Sequence, residues 1–165
     1  MPEKKTIKRA QRAKRQGKSP TTQAGEFVHE EIKKIRKGKH GARSAKQAIA
    51  IGLSEARRAG VKLKPPKKGK TSEKTRRSAE QAYKKGQRHE PVSKTRSRAR
   101  EKALKREPTS SASHTALSRQ AHEAAMERTA SERSASARKA VETKGPGERS
   151  EAAKKAARTR VKNES

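Results

Sequence analysis

Large apolar side chains are too scarce in this sequence to build an ordinary globular core. The 165 residues include five isoleucines, four leucines, five valines and one phenylalanine. These make up about 9% of the chain, whereas highly charged chains tend towards disorder below roughly 20%. Most of the other apolar residues are alanines, 26 in number, which favour helix but bury little surface. The sequence therefore predicts a mainly α-helical protein without a sheet.

Positive charge is the second constraint on the chain. It has 47 lysines and arginines against 17 glutamates and no aspartate, for a net charge of +30. The excess is spread over four predicted domains. The basic N-terminal arm (1–20) and the helical hairpin (21–64) each carry +7. The basic linker with short helices (65–110) carries +11, and the repeat-containing tail (111–165) carries +5. Because so much charge of one sign repels itself, we expect a polyanionic partner.

The missing residue types argue against catalysis and metal binding. Without aspartate or cysteine, the sequence lacks the usual ligands of calcium loops and zinc sites and the acid of a Ser-His-Asp triad. The five histidines are scattered along the chain, so we expect them to be solvated. No apolar run approaches the roughly 20 residues that span a bilayer, and the N-terminus has no apolar signal region. We expect a soluble intracellular protein that is not an enzyme and has no cofactor, metal or membrane partner.

The hairpin is the part of the sequence that is richest in large apolar residues. Its first helix is predicted from near Thr22 to Gly38, and its second from Ser44 to Gly60, where Ser44 and Gln47 form a capping box. Glu31 falls in the middle of the apolar arc of the first helix. The predicted hairpin core consists of Phe27, Val28, Ile32, Ile35, Ile49 and Leu53.

The free energy gained by burying these few side chains is small compared with the conformational-entropy cost of ordering some 40 residues. We therefore predict that the hairpin is stabilised by self-association, as a homo-oligomer, or by its ligand. A monomeric 21–64 fragment that melts cooperatively at low concentration would contradict this hypothesis.

Outside the hairpin, the sequence predicts partly disordered basic arms and short Ala-rich helices. Helices are predicted at 72–85, 97–107 and 113–128, each beginning at a serine. In the tail, ERSASARKAVETK (132–144) matches ERSEAAKKAARTR (148–160) at seven of thirteen positions. This spacing predicts two Ser-capped helical repeats separated by a break at Gly145-Pro146-Gly147.

Clusters of lysine and arginine indicate phosphate neutralisation, which needs these residue types but does not need a fixed spacing between them. Base readout would need a folded helix that presents arginine, asparagine or glutamine rigidly, and single-strand recognition usually adds aromatic stacking. Only two aromatic residues are present: Phe27 fits the core, and Tyr83 is a weak stacking candidate. The connector 38–44 either places amides, Lys39 and Arg43 near a phosphate or serves for ordinary helix capping. The predicted nucleic-acid contacts are Lys4, Lys5, Lys8, Arg9, Arg12, Lys14, Arg15, Lys39, Arg43, Arg57, Arg58, Lys67, Lys68, Lys70, Arg76, Arg77, Arg96, Arg98, Arg100, Lys154, Lys155, Arg158 and Arg160.

The predicted function is sequence-nonspecific binding of nucleic acid, with double-stranded DNA preferred to RNA. One alternative is an RNA- or ribosome-associated basic protein, which has the same electrostatics. Another is a disordered interaction or stress-protective chain with an acidic protein partner. Competition between duplex DNA, structured RNA and acidic protein at fixed salt separates these three hypotheses.

The segment TQAGEFVHEEIKKIRKGKHGARSAKQAIAIGLSEARRAGVKLKPPKKGKTSEKTRR (22–77), with MPEKKTIKRA and EAAKKAARTR near the two ends, resembles a family of short Lys/Arg-rich bacterial proteins of unknown function. Some members are labelled plasmid-stabilisation or DNA-binding proteins. The resemblance implies a bacterial cytoplasmic, nucleoid-associated setting and supplies no catalytic or binding residues. The Ala/Lys/Arg-rich tail also resembles bacterial linker-histone-like proteins.

Overall fold

The structure is a computed structural model that describes residues 3–164. Met1, Pro2 and Ser165, which end the predicted segments 1–20 and 111–165, lie outside the described residues. The elements are α1 (Lys4–Arg15), α2 (Pro20–Arg36), α3 (Ala45–Arg58), α4 (Glu73–Gln87), α5 (Lys94–Leu104), a 3₁₀ helix (Ser110–Ala112), α6 (His114–Met126) and α7 (Ala130–Glu164). No strand occurs in residues 3–164, so the predicted mainly α-helical fold is confirmed. The chain divides within α6 into two compact units, one through Gln120 and one from Ala121.

Helices α2 and α3 pack against each other as the predicted hairpin. Helix α2 begins at Pro20, slightly earlier than predicted, because the Ser19 hydroxyl accepts the Thr22 amide and proline is favoured in the first turn. Gly38, with φ of 71°, ends it. Helix α3 begins after Ser44, whose hydroxyl accepts the Gln47 amide at 3.2 Å. It ends before Gly60, where φ is 86°.

The two hairpin helices approach closely at Gly52. A Cβ atom on Gly52 would lie 2.6 Å from Val28 Cα, which is too short for any side chain. Glycine is therefore required here by the packing of one backbone against another rather than by its own backbone angles.

The core of the first unit is built mainly from alanine. Ten of the 13 buried apolar residues in the described chain are alanines, and the others are Phe27, Ile35 and Val61. One cluster surrounds Phe27 and a second surrounds Ile35. Among the predicted core residues, Phe27 and Ile35 are fully buried, whereas Val28, Ile32, Ile49 and Leu53 are half-buried. Small residues thus let the helices come close enough to cover these two large side chains.

Helices α1 and α4 cover the hairpin. The prediction for residues 1–20 did not include a helix, but α1 packs on α2 and buries Thr6, Ala10 and Ala13. Helix α4 packs on α3 and buries Ala79, Ala82 and Gly86. The stability argument for a lone hairpin therefore does not apply, because other parts of the same chain shield it.

The helix predicted at 72–85 stops before Gly86, which the prediction treats as a helix stop, and this boundary is wrong. Helix α4 continues to Gln87, and a Cβ atom at Gly86 would collide with the backbone carbonyl of Arg57. The glycine thus serves close packing of α4 on α3. The next helix also differs from its prediction, since it begins after Ser93 rather than at Ser97 because the Ser93 hydroxyl accepts the Arg96 amide.

The second unit contains the long helix α7. Its backbone leaves the helical region at Gly145, with φ of 65° and ψ of 172°, so two helical segments meet at the predicted break. The predicted serine caps are wrong, because the first segment is capped reciprocally by Thr129 and Glu132 while the repeat serines lie inside helices. Apart from Gly145, every residue of α7 from 130 to 161 is exposed.

Candidate nucleic-acid interface

Helix α1 presents a continuous basic face. Its buried residues Thr6, Ala10 and Ala13 lie on one side, and helical periodicity places four bases on the other. All four are exposed, and none forms an ion pair within the described chain. At a rise of 1.5 Å per residue, they extend over about 16 Å. We call this set the α1 basic face: Lys4, Lys8, Arg12 and Arg15.

Arg9 lies away from this face and ties α1 to α2. Its Nε atom is 2.8 Å from Glu26 Oε2, and its Nη2 atom donates to Glu30 Oε2 at 3.3 Å. Burial alone would raise the pKa of Glu30, but the hydrogen bond and the charge of Arg9 outweigh it and lower the pKa. Arg9 therefore orients the α1 basic face and is not one of its free cations.

Arg57 and Arg58 are neighbours in sequence but occupy different environments. Arg57 is buried, and its guanidinium donates to the carbonyls of Leu63 and Lys64 at 3.2 and 3.5 Å. It holds the extended segment after α3 in place, so we exclude it from the candidate interface. Arg58 is half-buried, and its buried Nε atom has no hydrogen-bond partner.

Two arginines of α5 contribute positive charge at Arg58. Burial lowers the pKa of Arg58, and the charges of Arg100 and Arg96 lower it further. Arg96 and Arg100 are four residues apart and therefore lie on one side of α5. None of the three forms an ion pair within residues 3–164.

Several amides of the connector between α2 and α3 are already used by acceptors within the chain. The Gly41 and Ala42 amides donate to the carbonyls of Leu104 and Pro108 at 2.9 and 3.0 Å, and the Arg43 amide donates to Gln47 Oε1 at 2.6 Å. Lys39 lies 3.7 Å from Glu3. The structure therefore favours capping and docking over the hypothesis that these amides bind phosphate, although the Arg43 side chain is exposed.

The other predicted contacts divide into residues that a glutamate already binds and residues without an ion pair in the described chain. Arg76 is bound by Glu73 at 2.6 Å, and the hydrogen bond from Arg76 to this glutamate raises the pKa of the arginine. Arg77 also contacts Glu73, at 3.4 Å, and Lys154 contacts Glu151 at 3.1 Å. The remaining predicted contacts are exposed and form no ion pair in the described chain: Lys5, Lys14, Lys67, Lys68, Lys70, Arg98, Lys155, Arg158 and Arg160.

The glutamates of the first 101 residues are already paired within the chain. Each of the nine between residues 3 and 101 has a lysine, arginine or histidine nitrogen within 4.0 Å. The same stretch contains 32 lysines and arginines. Its excess of 23 positive charges therefore has no unpaired glutamate within the same stretch to neutralise it.

Sequence reasoning did not predict a buried polar pair inside the hairpin. Glu31 is 2% exposed, and its Oε1 atom lies 3.4 Å from His40 Nε2. Burial raises the pKa of Glu31 and nearby Glu55 raises it further, whereas His40 and Lys34 oppose the shift. His40 is largely buried rather than solvated as predicted. The position of Glu31 in the apolar arc was the one sequence signal of this pair.

Two kinds of site are absent from residues 3–164. No group of three or more histidines and glutamates is arranged to hold a metal ion. No helix in the described part of the chain is long and apolar enough to cross a membrane.

Part of the chain is similar to a known protein family. Residues 4–68 match the model of a family of unknown function (DUF6496). The matched span contains α1, the α2–α3 hairpin and the extended segment held by Arg57. No curated protein and no solved structure matches the chain. The family description assigns no activity.

Proposed function

We propose that this protein binds nucleic acid without base specificity, preferring duplex DNA, by neutralising phosphates with exposed lysines and arginines. The observation that carries the proposal is the imbalance within residues 3–101, where every glutamate is paired and 23 positive charges remain. Phosphates spaced along a nucleic-acid backbone are suitable counterions for such a distributed excess, and their binding releases condensed cations.

The α1 basic face offers the most regular set of contacts. Its four bases follow one side of a helix that Arg9 fixes against α2, so binding does not have to order this helix first. A rigid basic helix suits a groove bordered by phosphates, whereas single-strand recognition relies on aromatic stacking. Phe27 is buried in the core, which supports a duplex as the preferred partner.

The test is equilibrium binding of the full chain to labelled duplexes of two unrelated sequences over a range of salt concentrations. We expect equal affinities for both sequences. If about eight phosphates are engaged, log K should fall against log salt with a slope near −7. A slope near −1, or tight binding to an acidic protein but to neither DNA nor RNA, would contradict the proposal. Stronger binding of structured RNA than of duplex DNA would favour the RNA alternative.

A matched pair of lysine variants tests whether unpaired bases carry the binding. Lys14 is exposed and has no ion-pair partner in the described chain, whereas Lys84 is exposed but lies 2.8 Å from Glu80. We expect Lys14→Gln to reduce the magnitude of the salt slope by about one and Lys84→Gln to reduce it less. Equal reductions would show that net charge alone, and not the pairing within the chain, determines the contacts.

A further inference from the structure

We propose that Lys62 and Lys64 provide a preorganised contact for two adjacent phosphates of one nucleic-acid strand. The two lysines lie in the extended segment that follows α3, and we call residues 61–64 the anchored segment. This inference deepens the proposed function and rests on it, because it locates a contact outside the α1 basic face. The ligand class is a phosphodiester backbone.

The first argument is that the apolar side chains of the anchored segment face the core while its lysines face solvent. Val61 is buried in the cluster around Phe27, and Leu63 packs against the same cluster. Lys62 and Lys64 alternate with these two residues and are exposed. The backbone between the two lysines spans at most about 7 Å. Their flexible side chains can therefore contact neighbouring phosphates while the apolar residues stay packed.

The second argument is that both lysines are available to an external anion. Neither Lys62 nor Lys64 forms an ion pair in residues 3–164. The glutamates nearest to them in sequence are Glu55 and Glu73, and each of these already pairs with another base. Phosphates that bind such lysines release condensed cations, which favours the complex.

The third argument is that a buried arginine holds the backbone of the anchored segment. The Arg57 guanidinium donates to the carbonyls of Leu63 and Lys64 at 3.2 and 3.5 Å. Hydrogen bonds from a charged donor are stronger than those between neutral groups. Arg57 is therefore a positioning residue, since it does not contact the phosphates but fixes the backbone that carries the lysines.

Both ends of the anchored segment are held as well. At its start, the Val61 amide donates to the Ala56 carbonyl at 3.1 Å. The side chain of Gln87, at the end of α4, donates to the Gly60 carbonyl at 3.3 Å. At its end, the two prolines at 65 and 66 restrict the backbone. Binding therefore has little backbone freedom left to remove at this segment, which favours affinity.

The variant that tests the contact is Lys62→Gln/Lys64→Gln in the full chain. A matched control is Lys68→Gln/Lys70→Gln, which removes two lysines that have the same spacing, are also exposed and form no ion pair in the described chain. The control lysines flank Gly69 in a turn closed by a backbone hydrogen bond, and no buried arginine holds this turn. A difference between the two variants therefore reports the anchored backbone rather than net charge.

The readout is equilibrium binding to a labelled DNA duplex over a range of salt concentrations. We expect Lys62→Gln/Lys64→Gln to reduce the magnitude of the salt slope by about two, one for each lost contact, and the control to reduce it by less than about one. Equal reductions would overturn the inference while nonspecific nucleic-acid binding stands. If the natural sequence binds no nucleic acid, the proposed function fails and the inference fails with it.

Arg57→Lys tests the positioning role, because it keeps the positive charge but loses the planar fork that reaches both carbonyls. We expect it to weaken duplex binding in the natural sequence and to have no further effect once Lys62→Gln/Lys64→Gln is present. A purely structural role would weaken binding equally in both backgrounds, which would overturn the role of Arg57. The lysine variants change exposed residues, so they test the contact even if Arg57→Lys destabilises the first unit.

Discussion

Helices α3 and α7 are both rich in alanine and arginine, yet alanine has a different role in each. Three of the four alanines of α3 are buried, whereas all eight alanines of α7 are exposed. Helix α3 also carries large apolar residues such as Leu53 at positions that share a face with its alanines, and α7 has only Val141 and Val161, both exposed. Alanine thus supports a helix in either place but builds a core only where larger side chains accompany it.

The comparison predicts its largest effect at Phe27. Phe27→Ala removes the largest fully buried side chain and should lower the free energy of unfolding of the first unit by about 3–5 kcal/mol. Urea unfolding followed by the amide signals of α2 and α3 measures this change. The tail control is Val141→Ala, where the valine is 44% exposed and the change should stay within about 0.5 kcal/mol. Similar effects at both sites would break the distinction between the two regions.

Glycines should sharpen the same contrast. Gly52→Ala forces the α2 and α3 backbones apart and should destabilise the first unit by about 1–3 kcal/mol. In Gly147→Ala, no neighbouring atom lies within 4 Å of the added Cβ. The substitution should therefore stabilise the local helix by up to about 1 kcal/mol. Thermal unfolding and circular dichroism measure the two effects. A neutral Gly52→Ala would show that the hairpin helices do not pack closely in solution.

Glu31 should make the stability of the first unit depend on pH. Because burial, followed by the Glu55 charge, raises the pKa of Glu31 above 4.5 in the folded state, its contribution to stability is full below about pH 4.5 and is lost as pH rises through the folded value. Glu31→Gln cannot ionise, so its stability relative to the natural sequence should increase as the pH rises over this range. Urea unfolding at a series of pH values measures the difference.

The opposite slope would mean that His40 and Lys34 stabilise the Glu31 carboxylate more than its burial and Glu55 destabilise it. Glu55→Gln provides a second measurement, since removing the Glu55 charge should lower the pKa of Glu31. Nuclear magnetic resonance titration of the Glu31 carboxyl group reports that pKa directly.

Helix caps should give the smallest effects and the most local ones. Ser44→Ala and Thr129→Ala each remove a hydroxyl that accepts a hydrogen bond from a backbone amide, at 3.2 and 3.1 Å. Each loss should destabilise its helix by about 1 kcal/mol. Ser44→Ala should lower the unfolding midpoint of the first unit, because α3 belongs to a packed core. Thr129→Ala should reduce only the helical content at the start of α7. Amide hydrogen exchange separates these outcomes, and a shift of the α3 amides in Thr129→Ala would contradict the prediction.

The sequence predicted where helices form better than it predicted which helices pack against each other. The capping pattern at Ser44 and the glycines at 38 and 60 located the hairpin, because these signals act within one turn of the chain. The same local reasoning missed α1, whose apolar face consists of Thr6, Ile7 and two alanines and becomes a packing surface only against α2. Gly86 was misread for a related reason. A glycine can end a helix, but it can also let a helix pack closely against a backbone that is distant in sequence, as Gly86 does at Arg57.

For the candidate interface, the sequence determined the large positive charge, and with it the need for an anionic partner. Only the tertiary structure decided which bases remain available. Arg57 and Arg58 are adjacent in sequence, yet Arg57 donates to backbone carbonyls and Arg58 keeps a buried Nε donor without a hydrogen-bond partner. The physical reason is that adjacent helical side chains point about 100° apart, so their neighbours come from different and distant parts of the chain.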